Sequence, residues 1–115
     1  MDVKKCNVLA AEIRLETLKV IHSRGFGHVG GSMDLADLMA VLYGEVMKFD
    51  PKNPRWEDRD WLVLSKGHAA AVTSFSQAAI GCYDVGDIYK EYATNFGRFG
   101  MHSCNLANPY VCLLY

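Results

Sequence analysis

Long apolar runs, an excess of basic charge and paired cysteines are all missing from this sequence. No uninterrupted apolar stretch approaches the roughly 20 residues of a membrane-spanning helix, so no membrane partner is expected. The formal net charge is −1, which leaves no basic patch of the kind that binds nucleic acid. Cys6, Cys82, Cys104 and Cys112 lack C-x-x-C spacing, so neither a disulfide framework nor an oxidising compartment is indicated. Grouping His102 with Cys104 and Cys112 fits no standard zinc pattern and lacks a fourth ligand, so no metal ligand is assigned. The start, "MDVKKCNVLAAEIRLE", carries charges inside its would-be apolar segment and does not read as a secretion signal. Repeats and low-complexity tracts are absent too. A cytoplasmic protein is the expectation.

What remains is a chain of 115 residues, half of them hydrophobic and 22% charged, a balance that excludes disorder. That length suits one small domain or a piece of a larger one. Burying about two-thirds of the unfolded surface, it can form a core, but not a generous one. The one turn-rich break, "FDPKNPRWEDRD" at Phe49–Asp60, reads as a solvated connecting loop.

Residues 7–23 read as a helix with Val8, Ala11, Leu15, Leu18 and His22 on its apolar face. "RGFGHVGGS" follows, at Arg24–Ser32, and Gly25–Gly30 matches the G-x-G-x-x-G dinucleotide fingerprint. That fingerprint needs a strand before its glycines, and here a helix comes first. Gly25, Gly27, Gly30 and Gly31 therefore read as a sharp helix-to-helix bend whose bare backbone a partner can approach closely. His28 is then either a surface histidine on a tight turn or the one chemical group projecting from it. Ser32 is expected to cap a second helix, with Asp34 and Asp37 in its early turns and Leu35, Leu38, Leu42 and Val46 as its buried stripe.

Trp61–Leu64 suits a short buried strand, Ser65-Lys66-Gly67 a turn, and His68 the opening of a helix. That helix buries Val72, Phe75 and Ala79 and stops at Gly81. In such α/β units ligands gather beyond the carboxyl ends of strands, where helix N-termini present N–H groups to anions. His68 thus stands where an anionic cofactor is expected. A surface helix with Ile88, Tyr92 and Phe96 inward leads to His102, after another glycine-flanked turn.

The run "GHVGGSMDLADLMAVLYGEVMKFDPKNPRWEDRDWLVLSKGHAA" closely resembles the amino-terminal region of transketolases, especially the split form whose first half is a separate chain. The resemblance covers about residues 8 to 102 and rests on G-H-x-G-G-S, D-P-K-N-P-x-W-x-x-R-D and L-S-K-G-H-A in family order. It implies an α/β fold, the amino-terminal portion of a thiamine-diphosphate-binding fold, mostly helical with one clear short strand. The whole of 1–115 is then a single partial domain, with 103–115 a divergent tail. The implied activity is transfer of two-carbon ketol units between sugar phosphates, with thiamine diphosphate and Mg2+ as cofactors. A complementary carboxyl-terminal transketolase subunit and a homo- or hetero-oligomer are the implied partners.

The resemblance also implies roles. His28 and His102 would be catalytic, binding and relaying protons on the sugar. Imidazole suits that work, since it gives or accepts protons near neutral pH. His68, Gly67, Ser65 and Lys66 would hold the cofactor diphosphate, and Gly27, Gly30, Gly31 and Ser32 would line the substrate channel. Departures accompany the match. Phe26-Gly27-His28-Val29 replaces the usual Ser-Gly-His-Pro, Asp34 replaces a frequent serine, and "SCNLANPYVCLLY" replaces the stretch toward S-T-G-S-L-G. The Gly-Asp-Gly metal segment and the complementary domain's glutamate have no counterpart, so a truncated first subunit, inactive alone, is expected. The alternative is a non-catalytic interaction module that uses Leu35, Met39, Leu42 and Val46 as its interface. A deoxyxylulose-phosphate synthase or dihydroxyacetone synthase relative is a third reading, against which the D-P-K-N-P loop speaks.

Overall fold

In the computed structural model, residues 1–102 and 108–112 are described. Helix α1 spans Val3–Arg24; the Asp2 side chain caps it by accepting from the Lys5 N–H at 3.1 Å. It ends at Gly25, left-handed at φ 74°, whose N–H reaches the carbonyls of Ile21 and His22. The buried face is Cys6, Ala10, Ile13, Thr17, Val20 and Ile21, which packs on α3 (Ala36–Val41) and α4 (Ala70–Ala79). This corrects the expected stripe: Val8, Leu15 and Leu18 are exposed, as are Ala11 and His22. The buried face mixes branched residues, Ile13, Val20 and Ile21, with the smaller Cys6, Ala10 and Thr17, while Val8, Leu15 and Leu18 point the other way.

The second expected helix is broken. Val29–Met33 forms a short α2, α3 follows, and a wide π turn at Leu42–Val46 ends the run. Ser32 is not a cap; it lies inside α2, fully buried. The buried side is Ala36, Met39, Ala40 and Tyr43, while Leu38 and Val46 are exposed and Leu35 and Leu42 only half-buried. Met39, in particular, belongs to the core and not to an interface.

The Phe49–Asp60 segment is more tightly built than a slack connector. Lys48 and Asp60 close its neck: the Lys48 N–H donates to Asp60 Oδ2 at 2.7 Å, and the Asp60 N–H to the Lys48 carbonyl at 2.9 Å. Arg59 is buried there, donating to the Pro109 carbonyl at 3.0 Å and lying 3.9 Å over the Trp61 ring. The strand β1 (Leu62–Val63) buries only its flank, Leu64; Trp61 and Val63 are exposed. A parallel partner, β2 (Val111–Cys112), pairs with it in the stretch read as a tail.

Between the strands run a 3₁₀ turn at Gly67–Ala69, then α4 and α5 (Val85–Glu91). A crossover of this kind is what a parallel pair requires. Helix α4 is buried through Ala78 on every side. Its hydroxyls survive there by returning to the chain: Thr73 to the Ala69 carbonyl, Ser74 to Ala70 and Ser76 to Val72. Val72 and Phe75 face the core as expected; Ala79, at the end, is exposed. Gln77 ties the returning segment down, donating to the Tyr43 hydroxyl at 3.0 Å and accepting from Asn108 at 2.9 Å. In α5, Ile88 is buried, as is Tyr92 just beyond it, but Phe96 is fully exposed. The helix has ended at Glu91, and Ala93 turns left-handed at φ 53°, so Phe96 is carried off the helical face.

Candidate active site

Three segments converge beside the carboxyl end of β1: the bend after α1, the turn before α4, and the turn after α5. The His28 and His68 rings have centroids 5.6 Å apart, and those of His28 and His102 5.8 Å, both edge-on. His28 is thus the middle of the group. All three imidazoles are exposed, so they form an open ledge rather than a closed cavity.

The glycines shape that ledge sterically. A Cβ on Gly31 would lie 2.3 Å from Cδ2 of His68 and 2.7 Å from its Nε2, so only a glycine lets the imidazole rest there. Gly27 holds φ 146°, and its missing Cβ would sit 3.1 Å from Cγ2 of Ile21. Gly30 has open space around it and presents bare, exposed backbone. Ser32 lies beneath, with its hydroxyl buried and without a hydrogen-bond partner among the described residues. Gly67 is buried in the turn behind His68, Ser65 is exposed, and Lys66 reaches across to Asp34, Nζ to Oδ2 at 2.6 Å. The Lys66 hydrogen bond holds the Asp34 carboxyl below its usual range.

Residues that sequence reasoning missed fasten the ledge. Arg24 donates to the carbonyls of Tyr89 at 2.8 Å and Lys90 at 2.9 Å, joining the first bend to the open carbonyls at the end of α5. Arg98 donates to Glu91 and Asp87 and steadies the turn before His102. The spacing of Asp87 and Glu91 on one helix face was the available signal; the bend that returns Arg98 to them was not. Cys6 and Cys82 are free, and burial pushes the Cys82 thiol up to about 12, which leaves it unreactive near neutrality. Cys104 lies outside the described residues. Among the described residues no three His, Cys, Asp or Glu side chains stand together so as to hold a metal ion, and no helix is long and apolar enough to cross a membrane.

The fold is thus an α/β unit that gathers His28, His68 and His102 beside one strand end, and comparison with known proteins gives its class, an enzyme domain of a cofactor-binding family. The family model "Transketolase, thiamine diphosphate binding domain" matches residues 5–98. A 6-deoxy-6-sulfo-D-fructose transketolase subunit from Clostridium sp. (strain MSTE9) is 45% identical over 73 residues, covering 64% of this chain and 26% of the relative. Transketolase 1 of Escherichia coli (strain K12) is 40% identical over 103 residues, covering 90% of this chain and 15% of the relative. The solved transketolase from Leishmania mexicana superposes with a TM-score of 0.85 at 30% identity, over 92% of this chain and 16% of that one. The chain belongs to the transketolase family, in its thiamine-diphosphate-binding domain, and spans about a quarter or less of the length of these relatives.

The residues present fit part of that cofactor set. The bare, exposed backbone at Gly30 has open space beside it that a flat or anionic group can approach, next to the spot where the His68 ring rests on Gly31.

Proposed function

We propose that this chain forms the cofactor and sugar-handling ledge of a transketolase-type transferase that moves two-carbon ketol units between sugar phosphates. The observation that carries the proposal is the approach of His28 to both His68 and His102, at 5.6 and 5.8 Å. When bound, thiamine diphosphate supplies the electron sink for carbon–carbon bond making and breaking. His68, Ser65, Lys66 and the N–H groups around Gly67 serve its diphosphate. His28 and His102 orient sugar hydroxyls and exchange protons with their oxygens. Gly27, Gly30 and Gly31 keep the approach free of side chains. Ser32, assigned to the same channel by the resemblance, is buried beside them with a hydroxyl that has no hydrogen-bond partner among the described residues.

The ledge is open on one side, whereas small-molecule sites bury most of their ligand. A second wall is therefore required, and a complementary carboxyl-terminal transketolase subunit supplies it in this reading. The exposed Val8, Leu15 and Leu18 on α1, with Leu38 and Val46 farther along, support such a partner and a homo- or hetero-oligomer. The same surface supports the second reading, a non-catalytic module that pairs with that subunit without turnover. A cytoplasmic setting accords with free, half-buried or buried thiols at Cys6 and Cys82. Magnesium, the second cofactor that the resemblance implies, belongs to the same reading, with no residue of this chain assigned to it.

Calorimetric titration of thiamine diphosphate with magnesium tests the proposal, on the chain alone and with a carboxyl-terminal transketolase subunit. Tight binding only in the mixture, with ketol transfer, is expected. Complex formation without cofactor heat or turnover would favour the interaction module, and no heat and no complex would refute both.

A further inference from the structure

We infer that Arg98 is a positioning residue: held by Glu91 and Asp87, it fixes the turn that carries His102 to His28. The inference rests on the reading of the three-histidine ledge as the working site. The turn is under conformational strain. Ala93 and Phe96 adopt φ 53° and 63°, the left-handed region that side chains with a Cβ resist. Phe96 gains nothing from burial in return, since its side chain is wholly exposed. Such backbone persists only where its surroundings over-determine it, and such sites concentrate where geometry serves function.

The surroundings here are specific. The Ala93 N–H donates to the Phe99 carbonyl at 2.8 Å, and the Thr94 hydroxyl to the Glu91 carbonyl at 2.8 Å. Gly97 lies so close to the end of α5 that a Cβ would come within 2.2 Å of the Glu91 carbonyl oxygen. Arg98 then closes the turn. Its Nη2 donates to Glu91 Oε1 at 2.6 Å and to Asp87 Oδ2 at 3.0 Å, its Nε to Glu91 Oε2 at 2.9 Å, and its own N–H to Glu91 Oε2 at 3.0 Å. A guanidinium fork on a carboxylate fixes direction as well as distance, which a single point charge does not. The chain after Arg98 is anchored at Phe99, whose buried ring lies 4.9 Å from that of Tyr83 and whose carbonyl accepts from Ala93, and passes half-buried Met101, packed against the core, before reaching His102. Turn and imidazole are separated by three residues, and Arg98 sets the direction in which that anchored run leaves α5, so releasing Arg98 shifts His102 away from His28.

The test is ring-proton cross-relaxation by NMR in the full chain with isotope-labelled histidine. The wild type should show both the His28–His68 and the His28–His102 contacts. Arg98→Met should lose the His28–His102 contact and keep the other; Glu91→Gln, which preserves shape and is the gentler change if the first variant fails to fold, should do the same. An unchanged His28–His102 contact in a folded variant overturns the inference, and so does loss of both contacts together, which would mark a general structural role. Cofactor binding is not read here, so a clamp that behaves as expected in a protein that binds no thiamine diphosphate with its partner would leave this inference standing and defeat the functional reading.

Discussion

The stretch Gly25–Gly31, a bend at Gly25–His28 that runs into α2, and the turn at Ala93–Met101 bring imidazoles to one ledge by opposite means. In the first, the placement comes from what is missing: no Cβ at Gly31 lets His68 settle, and none at Gly27 lets the chain pass Ile21. In the second, it comes from charge: Arg98 bridges Glu91 and Asp87 across a strained turn. Steric permission is insensitive to salt and pH but intolerant of any added atom. A charge clamp tolerates changes in size and fails when its ions are neutralised or screened. The two halves of the site should therefore be separable by experiment.

The largest effect is expected at Gly27. Gly27→Val combines a φ of 146° with contact on Ile21, and should destabilise the fold by about 2–4 kcal/mol in urea unfolding. Gly31→Ala should cost less, about 1 kcal/mol, because the His68 ring can swing away. The sign of that rearrangement is loss of the His28–His68 contact with His28–His102 kept, the mirror image of Arg98→Met. Phe96→Asn should stabilise the chain slightly, by under about 1 kcal/mol, since asparagine accepts left-handed backbone and no packing is lost. A lower melting temperature for that variant would show that Phe96 is not strained.

The smallest effects concern solution conditions. Arg98 hydrogen bonds hold the Glu91 carboxyl down at about 2, against an ordinary 4.5. A depressed carboxyl contributes stability that is complete above its unfolded value and is lost as pH falls through the folded one. The clamp should thus be unaffected between pH 7 and 5 and should open from about 4.5 toward about 2, as followed by the Arg98 amide resonance. Salt at 1 M, where the screening length is ~3 Å, should loosen His102 and leave His68 in place.

The glycine bends and the setting of His68 were legible locally in the sequence, whereas the grouping of His28 and His102 came from the resemblance to the transketolase family. A helix before Gly25 excluded a dinucleotide turn, and the strand–turn–helix around His68 followed from hydropathy and a glycine. The faces of α1 and α3 were not legible. Both helices carry apolar residues on two sides, and periodicity alone does not tell which side meets this chain. Phe96 was misplaced for a related reason. Nothing local announces that Ala93, a good helix former, turns left-handed, and that turn is imposed by contacts with Phe99 and Glu91. The Arg98 clamp depends on the same bend.

The most direct measurement is titration of thiamine diphosphate and magnesium into the histidine-labelled chain bound to a carboxyl-terminal transketolase subunit, following the three ring resonances. Joint movement of His28, His68 and His102, saturating together, is the predicted result. If His68 responds while His28 and His102 stay still even after a sugar phosphate is added, or if none of the three responds, the single-ledge account is contradicted.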